Sequence, residues 1–169
     1  QINRYIRYCM KEKYSFVHID ATGGVLKKMS DQNQSLIYTL IFKDGIDSIH
    51  TLPLAHAFLA DHTVPSISYF LGNLAHEINE YKKKLILPSF FVIDFSAAIM
   101  NAVLQTFNTE NINAHLNRCW NVLCGKYDVG QLRSSSFIHL CCCHVIHAMA
   151  RSLTAARIDK QIRRGILHI

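Results

Sequence analysis

Two aspartates stand where strand-forming segments stop. Asp20 closes the run Tyr14-Ser15-Phe16-Val17-His18-Ile19-Asp20, and Asp94 closes Phe90-Phe91-Val92-Ile93-Asp94. If those segments are parallel neighbours, both carboxylates emerge at one sheet edge. Unpaired carboxylates that close repel and shift each other's ionisation. A divalent cation removes the repulsion. Mg²⁺ and Mn²⁺ prefer hard oxygen ligands and keep positions open for water and phosphate. Two such ions, about 3.5–4 Å apart, can activate an attacking oxygen and stabilise a leaving one in phosphoryl transfer. Taken singly, Asp94 before Phe95-Ser96 would equally cap a helix, and Asp20 before Ala21-Thr22-Gly23 would make an Asx-turn. The pairing at matched strand ends is what points to metal chemistry.

A second constellation is Cys141-Cys142-Cys143-His144-Val145-Ile146-His147. Cys141 and His144 span a strand end and the first turn of a helix, which brings a thiolate beside an imidazole. A structural zinc ion needs four ligands, and Cys119 and Cys124 are the available additions. Five residues of continuous helix set those two about 140° apart, so the helix would have to end before Cys124. Against zinc stands the ordinary role of cysteine as a small buried hydrophobe, with Cys119 next to Trp120 on an apolar face. A third feature is cationic. Arg157, Lys160 and Arg164 recur at three- and four-residue steps, as on one helix face, with Arg151 and Arg163 nearby. Such a face suits phosphate contacts to DNA, and it equally describes a solvated helix.

The elements that must position these groups follow from periodicity. After the first strand, Gly23-Gly24 signals a turn, and Val25–Met29 can fold back as a hairpin. Leu36–Phe42 is apolar almost throughout, as in a strand covered on both faces. Leu52–Leu59 is extended, with Pro53 an awkward member. Ile67, Phe70, Leu71, Leu74, Ile78 and Tyr81 then mark an amphipathic helix that starts near Pro65. Phe90–Asp94 returns to strand. Ser96 can cap a helix with Ile99, Val103 and Phe107 on one side. The next helix, Asn111 to Cys124, is expected to turn Ile112, Leu116, Trp120 and Leu123 inward. Phe137–Cys141 is a last strand, and from His144 a helix carries Val145, Met149, Leu153 and Ala156. A meander followed by crossovers implies a mixed sheet.

The chain has 169 residues, half of them apolar, enough for one domain with a real core. Its apolar runs are interrupted well short of the ~18–20 residues a membrane span needs. Its N-terminus, QINRYIRYCMKEKYSF, lacks the apolar region of a signal peptide. The formal charge of +6 permits a polyanionic partner. Six cysteines without a secretory signal suit a reducing compartment.

The string His18-Ile19-Asp20-Ala21-Thr22-Gly23-Gly24, then Val92-Ile93-Asp94-Phe95-Ser96 leading to Ala102-Val103-Leu104-Gln105 and Phe107-Asn108, then Cys141-x-x-His144, resembles the Mutator-like class of DDE transposases. The resemblance spans roughly residues 14 to 155. It implies an α/β, ribonuclease H-like mixed five-stranded sheet flanked by helices, over residues 14–169 after a lead-in of residues 1–13. It implies Mg²⁺ or Mn²⁺ at Asp20 and Asp94, DNA as partner, with a second copy of the chain as a further one, and a nuclear site of action. The activity implied is DNA cleavage and strand transfer. The family's third ligand is a Glu on a helix well beyond the Cys-x-x-His motif, whereas the only carboxylate after His144 is Asp159. The chain as given should therefore not catalyse strand transfer, and the alternative is an inactive remnant that binds DNA or protein.

Overall fold

The structure, a computed structural model, describes residues 1–25, 35–43, 50–127 and 134–167. Five strands form one mixed sheet, flanked by helices. The strands are β1 (Phe16–Gly23), β2 (Leu36–Lys43), β3 (Thr51–Leu59), β4 (Phe90–Ile93) and β5 (Phe137–Leu140), in the order β3-β2-β1-β4-β5. β3, β2 and β1 are antiparallel, while β1, β4 and β5 are parallel. The helices are α1 (Ile2–Lys11), α2 (Val64–Lys82), α3 (Ala97–Val103) with a π-helical turn over Leu104–Asn108, α4 (Ile112–Leu123), α5 (Cys142–Ala155) and α6 (Lys160–Leu167). The hairpin return expected at Val25–Met29 lies mostly outside the described residues.

Alternation sets the two faces of the sheet. Val17, Ile19, Leu36, Tyr38, Leu40, Phe42, Phe91 and Ile93 point to one side and are buried there with residues of α1, α2 and α3. The opposite row carries Phe16, His18 and Asp20, all exposed, beside half-buried Phe90, Val92 and Asp94. β2 is therefore fully buried on one face only, not on both as its composition suggests; Ile37, Thr39 and Ile41 are half-buried. Pro53 is tolerated because β3 is an edge strand, and the ladder slips at Leu40/Ile41, where Pro53 lies opposite Ile41.

Residues 1–13, read from sequence as a lead-in, hold a helix that belongs to the core. Tyr5, Ile6 and Tyr8 of α1 are buried, and both tyrosine rings meet Phe42, with centroids 5.9 and 5.4 Å away. Their hydroxyls keep polar partners: Tyr5 donates to the Ile86 carbonyl at 3.0 Å, and Tyr8 accepts from the Phe16 amide at 2.8 Å. α2 buries Ile67, Leu71, Leu74 and Ile78, starts with Pro65 in its first turn and ends on Lys83 in the left-handed region. Ser96 caps α3, accepting from the Ile99 amide at 3.3 Å, as its position predicts.

The expected orientation of α4 is reversed. The helix forms over Ile112–Leu123, but Leu116, Trp120 and Leu123 are 58, 65 and 80 % exposed, and its one buried residue is His115. A polar clamp sets this orientation. Glu110 takes hydrogen bonds from Asn108 at 2.8 Å and from Arg118 at 2.6 and 3.2 Å, with His115 Nδ1 at 3.1 Å. Arg118 and Asn108 also donate to the Ser136 carbonyl, both at 2.8 Å, and the Ser136 hydroxyl donates to the Pro88 carbonyl at 2.6 Å. The Arg118 guanidinium lies 4.2 Å from the centre of the Phe137 ring. Polar residues thus tie α4 to the start of the edge strand β5, and the apolar stripe faces out.

Two predictions follow from this packing. Phe42→Ala should cost about 3–5 kcal/mol in urea unfolding, whereas Phe58→Ala, at a site 67 % exposed, should stay within about 0.5 kcal/mol. Arg118→Ala should cost about 3 kcal/mol, because it strands the mostly buried Glu110 carboxylate. Burial alone would push the Glu110 carboxyl up, but hydrogen bonds from Arg118 and Asn108 hold it below its ordinary value. The clamp's contribution is accordingly present above the unfolded carboxyl value of about 4.3 and is lost as pH falls through the lower folded value. The destabilisation by Arg118→Ala should shrink along that same acid limb.

Candidate functional site

Four residue pairs, Phe16↔Phe90 to Ile19↔Ile93, hold β1 parallel to β4, so Asp20 and Asp94 are the next residues in register. Asp94 lies just past the end of β4. Asp20 does not end β1: that strand runs on to Gly23, paired with β2 as far as Leu36. β1 thus outruns β4, and Asp20 sits where the parallel ladder stops and the antiparallel one continues. Cys141 follows at the end of β5, its amide donating to the Ile93 carbonyl at 2.7 Å. Asp20, Asp94 and Cys141 therefore share one edge of the sheet.

The surroundings of Asp94 shift its ionisation. Burial first, then the charge of Asp20, hold the Asp94 carboxyl above its ordinary range; His144 and His62 act in the opposite sense. Burial and then the Asp94 charge push the Tyr38 phenol up to about 12. Asp20 is exposed, and its Oδ1 accepts from the Ala21 amide at 2.9 Å. Asp94 Oδ1 is buried and has no hydrogen-bond partner; the same holds for His144 Nδ1, in the first turn of α5. A buried acceptor left without a donor fits a cation, since an unmatched carboxylate oxygen is otherwise costly.

The donor set is limited. Among the described residues, no group of three or more His, Cys, Asp or Glu side chains is placed to hold a metal ion. Asp20 and Asp94 could hold one hard cation together, with water in its other positions. The four-ligand zinc arrangement is not assembled. Cys119 Sγ faces His115 Nε2 at 3.5 Å on the inner side of α4, and Cys124 is exposed beyond its end. Cys141 and His144 remain near the carboxylates. Asp159 is engaged at the start of α6, accepting from the Gln161 amide at 2.7 Å.

His62 carries positional information that its sequence context does not reveal. It follows β3 and precedes α2. Its Nδ1 meets the Tyr38 hydroxyl of β2, and its Nε2 meets the Ser96 hydroxyl at 2.7 Å. Ser96 in turn caps α3, two residues after Asp94. His62 thereby ties the meander to the turn that carries the aspartate. The cationic trio is split: Lys160 and Arg164 belong to α6, but Arg157 lies in the turn before it with φ 54°. Arg157 breaks the helix there, so the three do not share one face.

The chain is 27 % identical over 110 residues to the 120.7 kDa protein in NOF-FB transposable element of Drosophila melanogaster, an alignment covering 63 % of this chain and 10 % of that protein. The chain thus spans about a tenth of the length of the curated relative it matches. No protein-family model matches the chain. No solved structure matches it. The similarity, though distant, is to a transposable-element protein. Among the described residues, no helix is long and apolar enough to cross a membrane.

The raised Asp94 carboxyl has a consequence for stability. A carboxyl whose folded value lies above its unfolded one favours the fold at low pH, and that contribution is lost as pH rises through the folded value. Asp94→Asn and Asp20→Asn should each stabilise the metal-free protein at pH 7 in urea titrations. Neither gain should survive at pH 3. A loss of stability at pH 7 in both variants would show that the carboxylates are held by bonds rather than set against each other.

Proposed function

We propose that this chain is a transposon-derived, ribonuclease H-like domain whose Asp20 and Asp94 hold a divalent cation for phosphoryl transfer on DNA. One observation supports the reading: Asp20 and Asp94 follow in register on parallel neighbouring strands at one sheet edge, and Asp94 has a buried oxygen without a partner. The strand order, with an antiparallel meander feeding two parallel crossovers, supports the fold assignment. The likeness to a transposable-element protein supports the origin. A Mg²⁺ or Mn²⁺ ion bound there would polarise phosphate oxygens and lower the pKa of bound water. The chain's own part is to aim the carboxylates: the β1–β4 register sets their spacing, and His62 and Ser96 fix the turn after Asp94. Action on DNA would place the protein in the nucleus.

A second reading, a DNA- or protein-binding remnant without chemistry, is favoured by one fact. No third acidic ligand accompanies Asp20 and Asp94 among the described residues. A two-ion mechanism requires more ligands than two carboxylates supply. The first reading therefore requires a carboxylate from elsewhere in a longer protein or from a partner.

Titration with Mn²⁺ followed by electron paramagnetic resonance should show weak binding, reduced at least about tenfold by Asp94→Asn, since one of two hard oxygen ligands is lost. A labelled duplex incubated with this chain and Mn²⁺ should remain uncut. Cleavage that disappears in Asp94→Asn would reject the remnant reading and make Asp159 the first residue to substitute. Equal Mn²⁺ binding by Asp94→Asn and the unaltered chain would remove the metal site.

A further inference from the structure

The segment from Cys141 onward holds five cationic side chains, Arg151, Arg157, Lys160, Arg163 and Arg164, against one carboxylate, Asp159, in a chain whose whole excess is +6. The fold gathers four of the five. His144, His147, Arg151 and Thr154 recur along one face of α5 and line a groove of about 770 Å³. Lys160, Arg163 and Arg164 of α6 line an adjoining cavity of about 410 Å³, and the two share Ala150 and Thr154 as a common wall. The cations of α6 therefore flank the same stretch of α5 that the groove follows. Its near end is His144, in the first turn of α5, which starts directly after Cys141, whose amide is bonded to the carbonyl of Ile93 next to Asp94.

The groove's donors are not used up internally. The ion pairs of Lys83, His115 and Arg118 all lie outside this groove. Arg163 donates through one guanidinium nitrogen to the Thr154 hydroxyl, which holds α6 against α5, but its Nε is buried without a partner. His144 Nδ1 is in the same condition at the other end. Asp159 faces the α6 amides rather than the cations. Arg151, Lys160 and Arg164 stay exposed.

We infer that the groove between α5 and α6 binds the sugar-phosphate backbone of a nucleic-acid strand and leads it to the Asp20/Asp94 edge. This rests on the reading of that edge as a phosphoryl-transfer site, which needs a polyphosphate substrate, and it supplies the substrate's path. From His144 to Ala155 the helix rises roughly 16 Å, the span of about four or five phosphates of one strand. Exposed cations that no carboxylate neutralises match a polyanion. The residues are partly those expected from sequence, but the surface differs: Arg151 and Arg163 belong to it, and Arg157, in the turn between the helices, does not line it.

Fluorescence anisotropy of a labelled 20-base-pair duplex against salt concentration tests this. Each lost phosphate contact should reduce the slope of log affinity against log salt by about 0.9. Arg151→Ala/Lys160→Ala/Arg164→Ala should make the slope shallower by about two to three. A matched loss of charge on α1, Arg4→Ala/Arg7→Ala/Lys11→Ala, should change it by less than about 0.5. Circular dichroism confirms that each variant is folded. A groove variant with an unchanged slope, equal changes in both triple variants, or poly-glutamate of equal charge displacing the duplex at equal concentration would each overturn the proposal. Mn²⁺ titration of the same proteins separates the two readings: the groove variant should bind Mn²⁺ like the unaltered chain. Failure of Mn²⁺ binding in the unaltered chain sinks the metal site while the salt slope still decides the groove.

Discussion

Four residue pairs hold β1 against β4, and the placement of Asp20 and Asp94 hangs on that short parallel ladder. Parallel pairing needs a crossover, here α2, and it leaves both strands ending in the same direction. The core makes the register unambiguous: Val17 and Ile19 share a buried face with Phe91 and Ile93, and a slip by one residue would bring out the opposite set. That constraint delivers Asp20 and Asp94 to a common edge. Burial and then the Asp20 charge raise the Asp94 carboxyl there.

The same edge receives β5, and the device that places β5 is of another kind. Its neighbour α4 is attached through Glu110, His115 and Arg118 rather than through apolar side chains. Charge-assisted bonds in a mostly buried setting are directional, and they fix rotation about the helix axis more tightly than a greasy stripe would. The clamp sets the start of β5, and the Cys141 amide bound to the Ile93 carbonyl sets its end. α5 therefore starts close to Asp94 in the fold.

Much of this was legible in the sequence. Period-two and period-3.6 patterns located β1, β2, β4, β5, α2 and α3, and the two aspartates stood out as strand-end residues. The extent of β1 past Asp20 was not legible, since it depends on a partner strand. The helix within the lead-in was not legible, because Tyr5 and Tyr8 are half-polar residues in a basic segment, and only the tertiary position of Phe42 shows why they are buried. α4 was read inside out because hydropathy marks Leu116, Trp120 and Leu123 as core, and the competing anchor is a set of polar bonds to residues outside the helix. Helix periodicity counts apolar side chains; it does not see that Glu110 and Ser136 converge on Arg118. The role of His62 was hidden for the same reason, as its partners Tyr38 and Ser96 lie 24 and 34 residues away.

The inverted α4 makes the molecule easy to watch. Its single tryptophan, Trp120, stands 65 % exposed on a helix whose inner face is polar. An indole in water emits at long wavelength whether the chain is folded or not, so intrinsic fluorescence is a poor gauge of unfolding here. The same position turns it into a sensitive optical label for contact. Anything that settles on the outer face of α4, whether another part of a longer chain, a second copy or a partner, would dry that ring and shift its light to the blue.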